Sequence, residues 1–132
     1  MTETKSLIGV VMPPPRPPAD VTIAPYPPHR ARRDLPSRRP CETFPIEADG
    51  IRYFATVGYY DDARTDPGEI FLNSRSKLGS ATDTAASDSA IVASIAMQYG
   101  VPLAILRDAV KRNDDGRPHG PLGAILDILA PA

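Results

Sequence analysis

One cysteine, Cys41, and two histidines are all that this chain of 132 residues offers to soft metals and redox chemistry. A single thiol forms no intramolecular disulfide and builds no thiolate cage. His29 and His119 lie in proline-flanked, loop-like sequence far from Cys41 in the chain, without metal-ligand spacing, so both read as solvated side chains. No metal and no cofactor is expected, and a reducing compartment, the cytoplasm, fits a lone thiol. Long apolar runs are missing too. The stretch Leu7 to Met12 is too short to span a membrane, and Pro13 directly after it leaves no room for a signal-peptide core and cleavage site. There is no G-x-S-x-G elbow and no complete phosphate-loop pattern, and no serine has a placed His and Asp partner. Hydrolase chemistry has no support, and no catalytic residue is assigned.

Proline is abundant instead, and unevenly placed. Of 16 prolines, eleven fall in residues 1–45, among them Pro13-Pro14-Pro15, Pro17-Pro18 and Pro27-Pro28. Such runs sustain neither helix nor central strand, because proline lacks the backbone donor. Residues 1–44 hold seven basic against four acidic residues, and residues 45–132 hold eight against twelve. The near-neutral total of −1 thus hides a basic segment on an acidic domain. We read residues 1–40 as a disordered Pro/Arg-rich arm and residues 41–132 as one small domain, with a core that depends on nothing upstream of Cys41.

Within that domain, Thr43-Phe44-Pro45-Ile46 is a short extended segment and Asp49-Gly50 a turn. Ile51 to Tyr59 then alternates, with Ile51, Tyr53, Ala55, Val57 and Tyr59 on one face, which makes a hairpin signal. Glu69 to Asn73 supplies a third strand, completing a meander. A long helix is predicted from about Asp83 to Tyr99, capped by Ser80, Thr82 or Asp83 and stopped by Gly100, with Ala86, Ala90, Ala93 and Met97 inward and Ile91 and Ile95 on an adjoining row. Pro102 opens a second helix to about Lys111, and Pro121 to Ala130 forms a third. The expected class is α+β: a three-stranded antiparallel meander packed against two or three helices. The candidate core is Phe44, Ile46, Tyr53, Val57, Ile70, Leu72, Ile91, Ile95, Leu103, Leu106, Leu126 and Leu129.

Few residues invite a functional reading. Lys77, Gly79 and Ser80 precede a helix N-terminus, where free N–H groups and the dipole favour a phosphate; a turn plus a cap uses the same residue types. Arg30, Arg32, Arg33, Arg38 and Arg39 suit nucleic-acid phosphates or an acidic protein surface, although no aromatic residues interleave them for base stacking. Glu69 is expected to pair with an arginine or stay in water, Asp83 to cap, and Gln98-Tyr99 to anchor the turn after the long helix, with Tyr99 half buried.

Several segments match one family in order and spacing. Thr43-Phe44-Pro45, Tyr53 through Tyr59, Pro67 through Leu72, Lys77-Leu78-Gly79-Ser80 and Ala90 through Leu103, with its Gln98-Tyr99-Gly100-Val101-Pro102 turn, resemble the TSCPD domain, the C-terminal domain of vitamin B12-dependent ribonucleotide reductases. The resemblance spans roughly residues 41 to 129. Family members carry cysteines after the second helix; here that region, Arg112 to Asp127, has none, so no zinc or dithiol role carries over. The resemblance implies a stand-alone accessory or interaction module linked to deoxyribonucleotide synthesis, and no enzyme by itself. Its implied partners are a second copy of itself or the large subunit of a ribonucleotide reductase. The other reading is a module binding nucleotide or nucleic-acid phosphates through the basic arm and Lys77 to Ser80.

Overall fold

The computed structural model describes residues 13–15 and 31–131. Three strands, β1 (Cys41–Ala48), β2 (Ile51–Tyr59) and β3 (Pro67–Ser74), precede three helices, α1 (Ala81–Gln98), α2 (Leu103–Ala109) and α3 (Pro121–Leu129). The sheet is antiparallel in the order β1-β2-β3, so the α+β meander read from the sequence is the fold. Asp49 and Gly50 both take positive φ, 51° and 77°, which gives the two-residue turn a twist that matches the strands on either side.

That turn sets the register. Ala48 faces Ile51 and Ile46 faces Tyr53, which puts Ile46, Ala48, Tyr53, Ala55, Val57, Ile70 and Leu72 on one face of the sheet. All seven are buried, and Ala86, Ala90 and Met97 of α1 close over them with Ile125 and Leu126 of α3. Phe44, Leu103, Leu106 and Leu129 are partly buried around this cluster, as members of its rim. Two expected core residues are not in it: Ile91 and Ile95 are 50% and 38% exposed. The alanine-methionine stripe takes the inward side of α1, and because its side chains are small the helix lies close to the sheet and turns the adjoining isoleucines outward.

The reason α1 sits where it does is polar as much as apolar. Gly68, Ile70, Leu72 and Ser74 point backbone groups away from β2, the liability of any edge strand. Four side chains of α1 meet them in turn. Gln98 Nε2 donates to Gly68 O at 3.0 Å. Ser94 Oγ accepts from Ile70 N at 2.8 Å, and Ser87 Oγ donates to Leu72 O at 2.9 Å. Asp83 Oδ1 accepts from Ser74 N at 2.7 Å. Residues 83, 87, 94 and 98 are spaced four, seven and four apart, which keeps them on one helical stripe. The helix therefore completes the sheet as a further strand would. The opposite edge, β1, is blunted differently: the pairing directs residues 41, 43, 45 and 47 outward, and at the third of these Pro45 has no N–H to offer.

Candidate functional site

Residues 31–40, the end of the Pro/Arg-rich segment, lie against the domain and form a strap over the end of α1 and the start of β3. The expected domain edge at residue 41 leaves these contacts out, while the remainder of the expected disordered arm, including Arg30 and His29, falls outside the described residues apart from Pro13 to Pro15. Pro40 O accepts from Tyr59 N at 3.0 Å, which continues the β1–β2 ladder by one step into the strap.

Three arginines fasten it. Arg39 makes a two-pronged pair with Glu69, Nε to Oε2 at 2.7 Å and Nη2 to Oε1 at 3.0 Å. Its third contact is Nη1 to Pro36 O at 2.7 Å. Glu69 is 5% exposed, and it fits because its cross-strand neighbour is Gly58, where a Cβ would stand 2.7 Å from Glu69 Cγ. The expected arginine pairing of Glu69 is present, with a partner from the segment read as a free tail. The hydrogen bond to Glu69 raises the Arg39 pKa above its ordinary value, outweighing the opposing cost of desolvation. Arg33 stacks on Tyr60 with its guanidinium carbon 3.7 Å from the ring centre and pairs with Asp66 at 3.0 Å. Burial is the main cause holding the Tyr60 hydroxyl above its ordinary pKa, against the pull of the Arg33 charge.

Arg32 is held by a neutral group. Its Nε donates to Gln98 Oε1 at 2.7 Å, while the backbone oxygen of Gln98 accepts from Arg33 N at 2.9 Å. Gln98 thus bridges strap, helix and sheet, a role different from the expected anchoring of the turn after α1; Tyr99 itself is 45% exposed. The signal that marks Gln98 is its place on the polar stripe with Asp83, Ser87 and Ser94. Between strap, β3 and α1 opens a cleft of about 400 Å³ whose lining includes Arg32, Glu69, Phe71, Ile91, Ile95 and Gln98. Arg38, the remaining described arginine of the predicted set, is exposed away from this cleft's lining.

Lys77, Gly79 and Ser80 form a turn and a cap. Gly79 N donates to Asp83 Oδ2 at 3.0 Å, Asp83 N donates to Ser80 Oγ at 3.2 Å, and Ser80 Oγ donates in turn to Lys77 O. The anion this loop holds is its own Asp83 carboxylate, whose pKa the N–H groups of Ser74 and Gly79 lower. The loop is well apart from the arginine cleft, sharing no lining residue with it.

The segment from Arg112 to Asp127 is closed by charge. Arg112 grips Asp127 through both terminal nitrogens, at 2.7 and 3.0 Å, and reaches the backbone oxygens of Arg107 and Gly116, each at 3.1 Å. This pairing raises the Arg112 pKa and lowers that of Asp127. His119 Nδ1 lies 2.7 Å from Asn113 Oδ1. Cys41 is exposed at the start of β1. Among the described residues no group of three or more His, Cys, Asp or Glu side chains is arranged to hold a metal, and no helix is long and apolar enough to cross a membrane.

Against known proteins, a vitamin B12-dependent ribonucleotide reductase of Bradyrhizobium diazoefficiens is 38% identical over 74 residues, 56% of this chain and 6% of that protein. One of Rhodopirellula baltica is 38% identical over 81 residues, 61% of this chain and 7% of that protein. This chain is similar to one small region of those reductases. It spans less than a tenth of the length of either curated relative. No protein-family model and no solved structure matches it.

Proposed function

We propose that this chain is a TSCPD-like, non-catalytic accessory module that docks on the large subunit of a ribonucleotide reductase and serves deoxyribonucleotide synthesis. The observation that carries the reading is the 38% identity to two such reductases, confined to 6% and 7% of their lengths. A region that small, with one cysteine in this chain, fits a part that contacts the catalytic body, since radical ribonucleotide reduction needs several thiols held together at a large active site. The outer face of the sheet suits docking. Phe54 is 40% exposed there, with the Arg75 guanidinium 4.6 Å from its ring centre, a pairing of aromatic and arginine side chains that interface cores favour. The test is sedimentation velocity of the full chain mixed with the reductase large subunit from the same cell, each at about 50 µM, a concentration at which a micromolar complex is largely formed. A faster-moving complex that Phe54→Glu abolishes supports docking through this face. Two unshifted boundaries reject the partner.

A further inference from the structure

Two of the three arginines that fasten the strap are neutralised where they stand: Arg39 by Glu69 and Arg33 by Asp66. Arg32 differs. Its partner Gln98 carries no charge, is 7% exposed, and is itself fixed in orientation by its bond to Gly68 O. Among the described residues Arg32 enters no salt bridge. A guanidinium has five N–H donors, and the Nε bond orients the group without balancing it. Arg32 is exposed, with its Nε held by a buried amide.

The same cleft brings together apolar surface from two elements. Phe71 of β3 is 48% exposed, and Ile91 and Ile95 of α1 are 50% and 38% exposed, although all three line a concavity. At about 400 Å³ the cleft lies within the range of small-molecule sites, which combine mostly apolar walls with a few fixed polar groups. The wall also holds Arg33, Asp34, Arg39 and Glu69. Arg33 is paired with Asp66 and Arg39 with Glu69, and Asp34 enters no salt bridge among the described residues. Ser94 and Gln98 already have partners in the fold, so Arg32 is the one cation of the wall without an ion-pair partner among the described residues.

We propose that this cleft binds a small organic anion with a flat apolar body, its phosphate or carboxylate head on Arg32 and its body against Phe71, Ile91 and Ile95. The head takes the two-pronged geometry that a fixed guanidinium presents, and the ring of Phe71 favours a planar partner. This proposal does not rest on docking to a reductase, although Phe71 shares the outer face of the sheet with Phe54, and the site has no lining residue in common with the loop at Lys77 to Ser80.

Nuclear magnetic resonance titration of the full chain tests it, following the methyl groups of Ile91 and Ile95 and the side-chain amide of Gln98. Adenosine monophosphate and 4-phenylbenzoate are the two anions, and their comparison decides between phosphate and carboxylate; adenosine and inorganic phosphate supply body and head alone. Saturable shifts at those three residues with one of the anions, with either fragment weaker by about tenfold or more, is the expected result. Arg32→Met and Phe71→Ala should each weaken binding about tenfold or more, the loss of one good charged or stacking contact. None of the strap's hydrogen bonds or ion pairs runs through the Phe71 side chain, so the effect of Phe71→Ala is read even where Arg32→Met loosens the strap. Absence of saturable shifts with both anions at about 5 mM overturns the proposal, since even millimolar affinity saturates there. So does undiminished binding by Phe71→Ala, or shifts centred on residues 77–80.

Discussion

Gly58 and Ser94 show how single side chains hold this fold. A methyl group at Gly58 meets the buried stem of Glu69, which Arg39 pins from the other side, so the carboxylate has little room to withdraw. Gly58→Ala should therefore cost about 1–3 kcal/mol, the usual penalty of overpacking a closed site. Thermal unfolding checks it; a variant as stable as the parent shows that Glu69 moves freely and that the strap pair is loose. Ser94 Oγ serves both Ile70 N and the carbonyls of Ile70 and Ala90, at 2.8, 3.1 and 2.7 Å. Ser94→Ala leaves the Ile70 N–H buried without a partner, at about 1–3 kcal/mol. Chemical denaturation should give a lower midpoint at unchanged slope, because the surface exposed on unfolding stays the same.

At the scale of elements, the strap is the piece whose standing the fold makes most testable. Its removal takes away both prongs on Glu69, the Arg32–Gln98 bond, the Pro40 continuation of the ladder and the Leu35 side chain that packs at Gly68. Glu69 is then left at the sheet with its charge and without its cation, a costly arrangement for a group so little exposed. A chain that begins at Cys41 should melt several degrees below one that begins at Ala31, since about 1 kcal/mol moves the transition of a domain this size by roughly 4–8 °C. Equal melting temperatures place the domain edge at residue 41. A difference places it upstream, near Arg32.

At the scale of the whole molecule, the fold favours the charged form of four carboxylates among the described residues. Hydrogen bonding from Thr65 leads at Asp61 and backbone N–H groups at Asp83, while arginine hydrogen bonds lead at Asp108 and Asp127; all four pKa values are lowered. A carboxyl group with a lower pKa folded than unfolded adds stability that is present above its unfolded value, about 3.9 for aspartate, and lost as pH falls through the folded one. The protein should hold a flat melting temperature near neutrality and lose it steeply below about pH 4. Asp83→Asn should destabilise at neutral pH, with the gap to the parent narrowing as the solution is acidified. A gap that is constant down to pH 3, a value well below the unfolded pKa, rejects a charged Asp83 as the edge's acceptor.

The sequence by itself determined the class and the order of the elements, because each rests on local chemistry: alternation in β2, Asp49-Gly50 in the turn, a helix cap among Ser80, Thr82 and Asp83 that the structure places at Ser80, and Pro102 and Pro121 at helix starts; β1 and β3 run beyond the expected residues 43–46 and 69–73. It also marked Ala86, Ala90, Ala93 and Met97 as the inward stripe of α1, and they are buried. Tertiary structure alone decided which isoleucines were core. The row of Ile91 and Ile95 differs from the alanine row only by rotation about the helix, and the hydrogen bonds of Asp83, Ser87, Ser94 and Gln98 to the edge of β3 set that rotation. Tertiary structure likewise decided the strap. Proline and arginine content describes how poorly residues 31–40 form helix or strand by themselves, and says nothing of a glutamate made accessible by a glycine on the neighbouring strand or a glutamine sixty-six residues away. Pairings of that kind follow from where folding brings distant residues, and they assembled the cleft from Arg32, Phe71 and Ile91, which no local pattern connects.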